Sequence, residues 1–128
     1  SIRRQRQMCI RDSSTTLKKL VAAGNHFTAG TDSPFMPYGL SIQLEMQTYV
    51  EILGLSPFTA LQSATLWAAE SVGVDKDLGS LEAGKLADLV IVDGDPLKDI
   101  KDALNVKIVM KNGLKYTLEE LLTKPPVK

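Results

Sequence analysis

The sequence predicts an α/β fold on three observations. Ser14–Ala23 carries a helical apolar pattern and runs straight into Asn25–Thr31, a β-favouring segment, which is the order of elements in the tail of an α/β unit. The apolar period stays helical as far as about Val72 and turns strand-like from Leu78 onward. Asp32 stands at the lip of the first strand, where Pro34 and Pro37 forbid the strand from continuing as a central sheet member.

Each element has a local reason. In Ser14–Ala23, Leu17, Leu20 and Val21 share a face, and Gly24 stops the helix. After the strand, a loop carries Pro34, Pro37 and Gly39 before a second helix, Ser41–Leu53, whose apolar face is Ile42, Met46, Tyr49, Val50 and Leu53. Ser56-Pro57 starts a third helix: a hydroxyl caps it, and proline takes the first helical position, where its missing N–H costs nothing. That helix is expected to reach Val72, burying Phe58, Leu61, Thr65, Ala68 and Val72, with Gly73 as its end. Trp67 and Met46 beside these stripes are read as core rather than pocket lining.

Leu89–Val92 is expected to be a fully buried strand, closed by the turn Asp93-Gly94-Asp95-Pro96. Val106, Ile108 and Met110 alternate with lysines in a half-buried strand, and Asn112-Gly113 turns it back into Leu114-Lys115-Tyr116. Thr117 caps a last helical turn, Leu118–Leu122, and Pro125-Pro126 ends the order, leaving 123–128 as a disordered tail. Residues 14–73 and 74–122 are thus differently organised, and one strand in the first part cannot close a sheet.

Composition narrows the function classes. The chain has 128 residues with 15 basic and 15 acidic side chains, enough for one modest domain. No apolar run approaches membrane-spanning length, and the N-terminus lacks a signal-peptide pattern. Residues 1–13 stand apart: Arg3, Arg4, Arg6 and Arg11 lie there, and no arginine follows. Arg3–Asp12 back-translates without mismatch as CGT CGG CAG CGT CAG ATG TGT ATA AGA GAC, which resembles a transposase adapter of sequencing libraries. The expectation is that 1–13 is not native and should be set aside in fold reasoning. Without it, 11 basic and 14 acidic residues leave a net charge of −3, and the single cysteine, Cys9, is gone. No basic footprint for nucleic acid and no thiolate metal site then remain, and the compartment stays undecided.

Asp32 at a strand lip is in most proteins a turn cap. Its company changes the reading. Leu78-Gly79-Ser80-Leu81-Glu82-Ala83-Gly84-Lys85-Leu86-Ala87-Asp88, continuing through Leu89–Val92 to Asp93-Gly94-Asp95-Pro96, closely resembles the C-terminal signature of the metal-dependent amidohydrolase superfamily, in its imidazolonepropionase-like and prolidase-like branch. Gly30-Thr31-Asp32-Ser33-Pro34, Gly54-Leu55-Ser56-Pro57 and Ala60–Thr65 fall in that family's order, so the resemblance spans about residues 14–122.

The resemblance implies the C-terminal part of a (β/α)₈ TIM barrel plus strands of a small β-sandwich domain built from both chain ends. Residues 14–73 would then belong to the barrel and 74–122 to the sandwich. It implies that Asp32 is both metal ligand and catalytic acid/base, exchanging a proton with a hydroxide that the metal, zinc as one or two ions, makes available near neutral pH. Ser33 and Gln43 are the candidate substrate-binding residues; close relatives often carry histidine where Gln43 stands. The family's other ligands, a His-x-His pair and later histidines among them, have no counterpart here. His26 is the sole histidine, read as a core or barrel-interior residue. Asp88 and Asp93 are read as turn caps. The implied protein is an incomplete hydrolase of carbon–nitrogen bonds in an amide, cyclic amide or dipeptide, inactive alone. Its partner would be a small-molecule substrate, with no nucleic acid or membrane, and it would form a homo-oligomer when full length. A non-catalytic sandwich module is the rival reading; within the family, a deaminase or a dihydropyrimidinase-like ring opener is the alternative.

Overall fold

The computed structural model describes residues 2–30 and 39–123. Among the described residues, five α-helices and three strands follow in order: α1 Ile2–Ala22, α2 Ser41–Glu51, α3 Pro57–Ala64, α4 Leu66–Ser71, β1 Leu89–Val92, β2 Val106–Lys111, β3 Leu114–Thr117 and α5 Leu118–Thr123. A 3₁₀ turn, Ile100–Leu104, links β1 to β2. The strands form one antiparallel sheet in the order β1-β2-β3.

Where sequence signals are local, the structure follows them. Ser56 Oγ accepts the Thr59 N–H at 3.0 Å, capping α3. Thr117 and Glu120 form a reciprocal capping box on α5, with Thr117 N–H donating to Glu120 Oε2 at 2.9 Å and Glu120 N–H to Thr117 Oγ1 at 3.2 Å. Asn112 and Gly113 take φ of 51° and 76°, the left-handed pair a two-residue hairpin needs, and β2 pairs with β3 from Lys111↔Leu114 outward.

Four expectations are corrected. The first helix starts at Ile2 rather than Ser14, so the arginine-rich segment is helical and α1 passes residue 13 without a break. Asn25–Gly30 forms no strand; beyond the Asn25 N–H bond back to Leu20 O, its backbone is held by Ala29 N–H to Ser63 O at 3.0 Å, because among the described residues no neighbouring strand completes a ladder. The end of that predicted strand, Thr31, lies outside the described residues, as do 124–128 of the expected tail.

The third helix breaks at Thr65, whose φ of −127° and ψ of −93° separate α3 from α4. Thr65 Oγ1 donates to the Leu61 carbonyl at 2.7 Å, and this back-bonding competes with helix continuation. Gly79 packs into the break: a Cβ there would lie 3.0 Å from Leu66 Cα and 3.2 Å from Thr65 O. The buried face also differs from the expected stripe: Phe58 is 58% and Val72 71% exposed, while Ala60, Ser63, Trp67 and Ala69 are buried. Finally, β1 is not buried on both faces; Val90 and Ile91 are 54% and 46% exposed. It is an edge strand with one paired neighbour, β2.

One core joins the two halves. Ile100 and Ala103 of the 3₁₀ turn pack on Met46 of α2 and Ala60 of α3, with Tyr49, Val50, Leu61 and Ala64 around them. Lys101 beside them pairs with Glu51 at 2.8 Å, at the end of α2. Met46 and Trp67 are buried, in keeping with the core reading.

Candidate active site

Asp32 and Ser33, the residues on which the candidate chemistry centres, lie outside the described residues. Their approach is described. Asn25 closes the end of α1, its N–H and its Nδ2 both donating to Leu20 O, at 3.0 and 3.1 Å. His26 and Phe27 then alternate, as an extended backbone dictates. The His26 ring stacks on Trp67 with centroids 4.5 Å apart and 14° between planes, and its Nδ1 lies 2.6 Å from Glu70 Oε2. Facing a carboxylate, that nitrogen carries the proton and donates. Phe27 sets its edge against Tyr49 at 5.2 Å and Trp67 at 5.5 Å. The Ser63 carbonyl is free to accept from Ala29 because it stands in the last turn of α3, where a helix leaves carbonyls without partners.

His26 is therefore not the core histidine expected. Its side chain is 48% exposed, and it ties the Asn25–Gly30 segment to α4. Among the described residues no strand flanks this segment, and the ring takes its contacts from Trp67 and Glu70 of α4.

Gln43 sits on α2 and lines a cavity of about 880 Å³ between the helices and the sheet, walled chiefly by apolar groups such as Met46, Leu61, Val92 and Met110. Its Oε1 is buried without a hydrogen-bond partner among the described residues, so this carbonyl could take a donor from a molecule in the cavity. Further along α2, the Tyr49 hydroxyl donates to Glu45 Oε1, and Glu45 Oε2 is buried with no partner among the described residues. Burial first, then the Glu45 carboxylate, push the Tyr49 phenol well above its ordinary range. Sequence reasoning missed the Glu45–Tyr49 and His26–Glu70 pairs. The first has a readable signal, an i,i+4 spacing on one helix; the second, across 44 residues, has none.

The signature segment is built as a support. Lys85 Nζ donates to Asp75 O at 2.6 Å and to Ser80 Oγ at 2.5 Å, and lies 3.3 Å from Glu82. Asp88 caps the β2–β3 turn: Oδ1 accepts the Asn112 N–H at 2.6 Å and Oδ2 meets Lys111 Nζ. The following turn is capped by Asp95, whose Oδ1 accepts from Leu97 N–H at 3.1 Å; the expected cap, Asp93, instead pairs with Lys107 at 3.3 Å. Among the described residues, no group of three or more histidine, cysteine or acidic side chains could hold a metal. No described helix is long and apolar enough to cross a membrane.

The amidohydrolase family model matches residues 3–115, and the chain belongs to that family. It is 33% identical over 82 residues to a 5-methylthioadenosine/S-adenosylhomocysteine deaminase of Thermodesulfovibrio yellowstonii, covering 58% of this chain and 19% of that protein. An imidazolonepropionase of Symbiobacterium thermophilum is 38% identical over 73 residues, covering 56% of this chain and 16% of its own length. Among solved structures, a Xaa-Pro dipeptidase with methionine bound in its active site superposes with a TM-score of 0.71 and 38% identity, over 81% of this chain and 25% of that one. The chain thus spans a quarter or less of these relatives. Their likeness supports the expected fold family, while the sheet in hand has three strands.

Proposed function

We propose that this chain is the C-terminal part of a metal-dependent hydrolase acting on carbon–nitrogen bonds, inactive without the residues that precede it in such enzymes. In the whole protein, residues 14–73 would be the end of a (β/α)₈ barrel and 74–122 part of a sandwich domain. The observation that carries the reading is the family match over residues 3–115, which includes Gly30-Thr31-Asp32-Ser33-Pro34. Relatives named as deaminase, imidazolonepropionase and Xaa-Pro dipeptidase support carbon–nitrogen hydrolysis as the reaction class.

In this reading Asp32 accepts a proton from the attacking water and returns it to the leaving nitrogen. The same carboxylate would give one oxygen to a divalent ion, zinc by the family's habit, which supplies Lewis acidity when bound. The described residues do not by themselves fit such an ion, since they hold no group of ligands and the His26 Nδ1 is engaged with Glu70. The remaining ligands would come from the rest of the protein. Ser33 and Gln43 are assigned to substrate.

The test is to express the complete gene and assay it, metal-loaded, against dipeptides, cyclic amides and aminopurines, beside the 128-residue chain. Turnover by the complete protein alone supports the proposal. A folded, metal-loaded complete protein with no turnover on any class would favour the non-catalytic module.

A further inference from the structure

The turn between β2 and β3 holds a reactive pair of residues. Asn112-Gly113 is exposed, and its asparagine side chain is followed by the residue that least shields its backbone nitrogen. In an open chain that nitrogen can reach the side-chain amide carbon of Asn112. Here it cannot rotate freely, because the turn is pinned at both residues. Asn112 N–H donates to Asp88 Oδ1 at 2.6 Å, and Gly113 N–H donates to Ala87 O at 3.1 Å. Lys111 Nζ, on the strand just before the turn, holds the other Asp88 oxygen.

We propose that Asn112 is a site of spontaneous deamidation which the Ala87-Asp88 segment guards while the hairpin is closed. The step needs water alone as co-reactant. The Gly113 amide loses its proton to water or hydroxide, and the nitrogen bonds to Asn112 Cγ. The Cγ–Nδ2 bond breaks, ammonia leaves, and a five-membered imide remains. Water opens the imide at either carbonyl, giving aspartate or isoaspartate at position 112. Either product sets a new carboxylate beside that of Asp88, and the two compete for Lys111. Isoaspartate also adds a backbone carbon to the turn, which spoils the register Lys111↔Leu114. Modification therefore removes its own guard: a turn once opened and converted does not close as before.

The test is to incubate the 128-residue chain at mildly alkaline pH and follow deamidation at position 112 by peptide mass mapping, with Gly113 amide exchange read on the same sample. The same chain in denaturant is the reference. The expected result is a protected Gly113 amide and a rate at least about tenfold below the denatured chain, the order of factor that the hydrogen bonds pinning the turn supply. Asp88→Ala should move the rate toward the denatured value, while Asp88→Asn, which keeps an acceptor oxygen, should retain most of the protection. A native rate equal to the denatured one, or a Gly113 amide that exchanges freely, overturns the proposal whether or not the variants fold. So does a folded Asp88→Ala chain that deamidates no faster than the parent.

Discussion

Gly79 lies against Ala69 so closely that a Cβ on Gly79 would sit 2.7 Å from the Ala69 Cβ. The same atom would touch Leu66 Cα, which cannot move without shifting α4, and Gly79 takes φ of +90°, which strains any other residue. Gly79→Ala is expected to cost about 2–4 kcal/mol from strain and overpacking together. Gly113→Ala is the control: its φ is +76°, but nothing lies within 4 Å of the added carbon. It should cost only the conformational part, about 1–2 kcal/mol. Urea midpoints followed by circular dichroism decide, and equal losses would refute the packing account.

Ile100 is 3% exposed in the core shared by both halves, whereas Val90 on β1 is 54% exposed. Ile100→Ala should cost about 2–5 kcal/mol and Val90→Ala well under 1. Comparable losses in denaturant melts would mean that the sheet, not the 3₁₀ turn on α2, holds the fold together.

Acid should weaken the fold through a small set of carboxylates. Asp88 is held below its ordinary value first by the Asn112 N–H and then by Lys111; Asp95, Glu82 and Glu51 are lowered by their own hydrogen-bonding partners. Each is a depressed carboxylate, so the unfolded chain binds protons more readily, and stability is lost as pH falls from the unfolded value toward the folded one. The urea midpoint should be flat from neutral pH to about 5 and fall below about 4. Asp88→Asn should shallow that fall. A midpoint that instead rises on acidification would contradict the sign.

In the complete protein, Asp32→Asn preserves shape while removing the charge and the proton-accepting oxygen. It should fold, retain some metal, and lose at least about a hundredfold in kcat with a smaller change in KM. Asp88→Asn, which affects only a turn, should leave kcat within a few-fold. Parent-like turnover by Asp32→Asn would refute the acid/base assignment.

The provenance of residues 1–13 can be read directly by amplifying the locus from source DNA across Ser13. Genomic codons for Arg3–Arg11 would show the segment to be native; their replacement by other sequence is the expected outcome.

The sequence was legible where cause and effect lie within a few residues. Ser56-Pro57, Asn112-Gly113 and the Thr117–Glu120 box each contain both the signal and the partner that answers it. The Thr65 break was not legible, because it depends on Gly79 packing into the helix from a later loop. Val72 lies beyond that break, where a continuous 3.6-residue stripe no longer applies. Asn25–Gly30 has the composition of a strand, yet strand pairing is a property of neighbours, and none is available to it among the described residues. At the candidate site, the family motif led to Asp32 and Gln43; the Glu45–Tyr49 pair carries an i,i+4 signal on one helix, while the Glu70 carboxylate emerges only from three-dimensional placement.

The Lys85 ammonium makes the Asp75–Lys85 segment behave as a unit. By gripping Asp75 O and Ser80 Oγ it draws a stretch of chain into a closed ring, the topological effect that cross-linked cysteines have in secreted proteins. The ring needs no oxidant to form and no reductant to open. It is a buckle rather than a weld: it holds the folded segment only while its hydrogen bonds last, leaves the unfolded chain unconstrained where a disulfide would not, and can be undone and refastened on the timescale of side-chain motion.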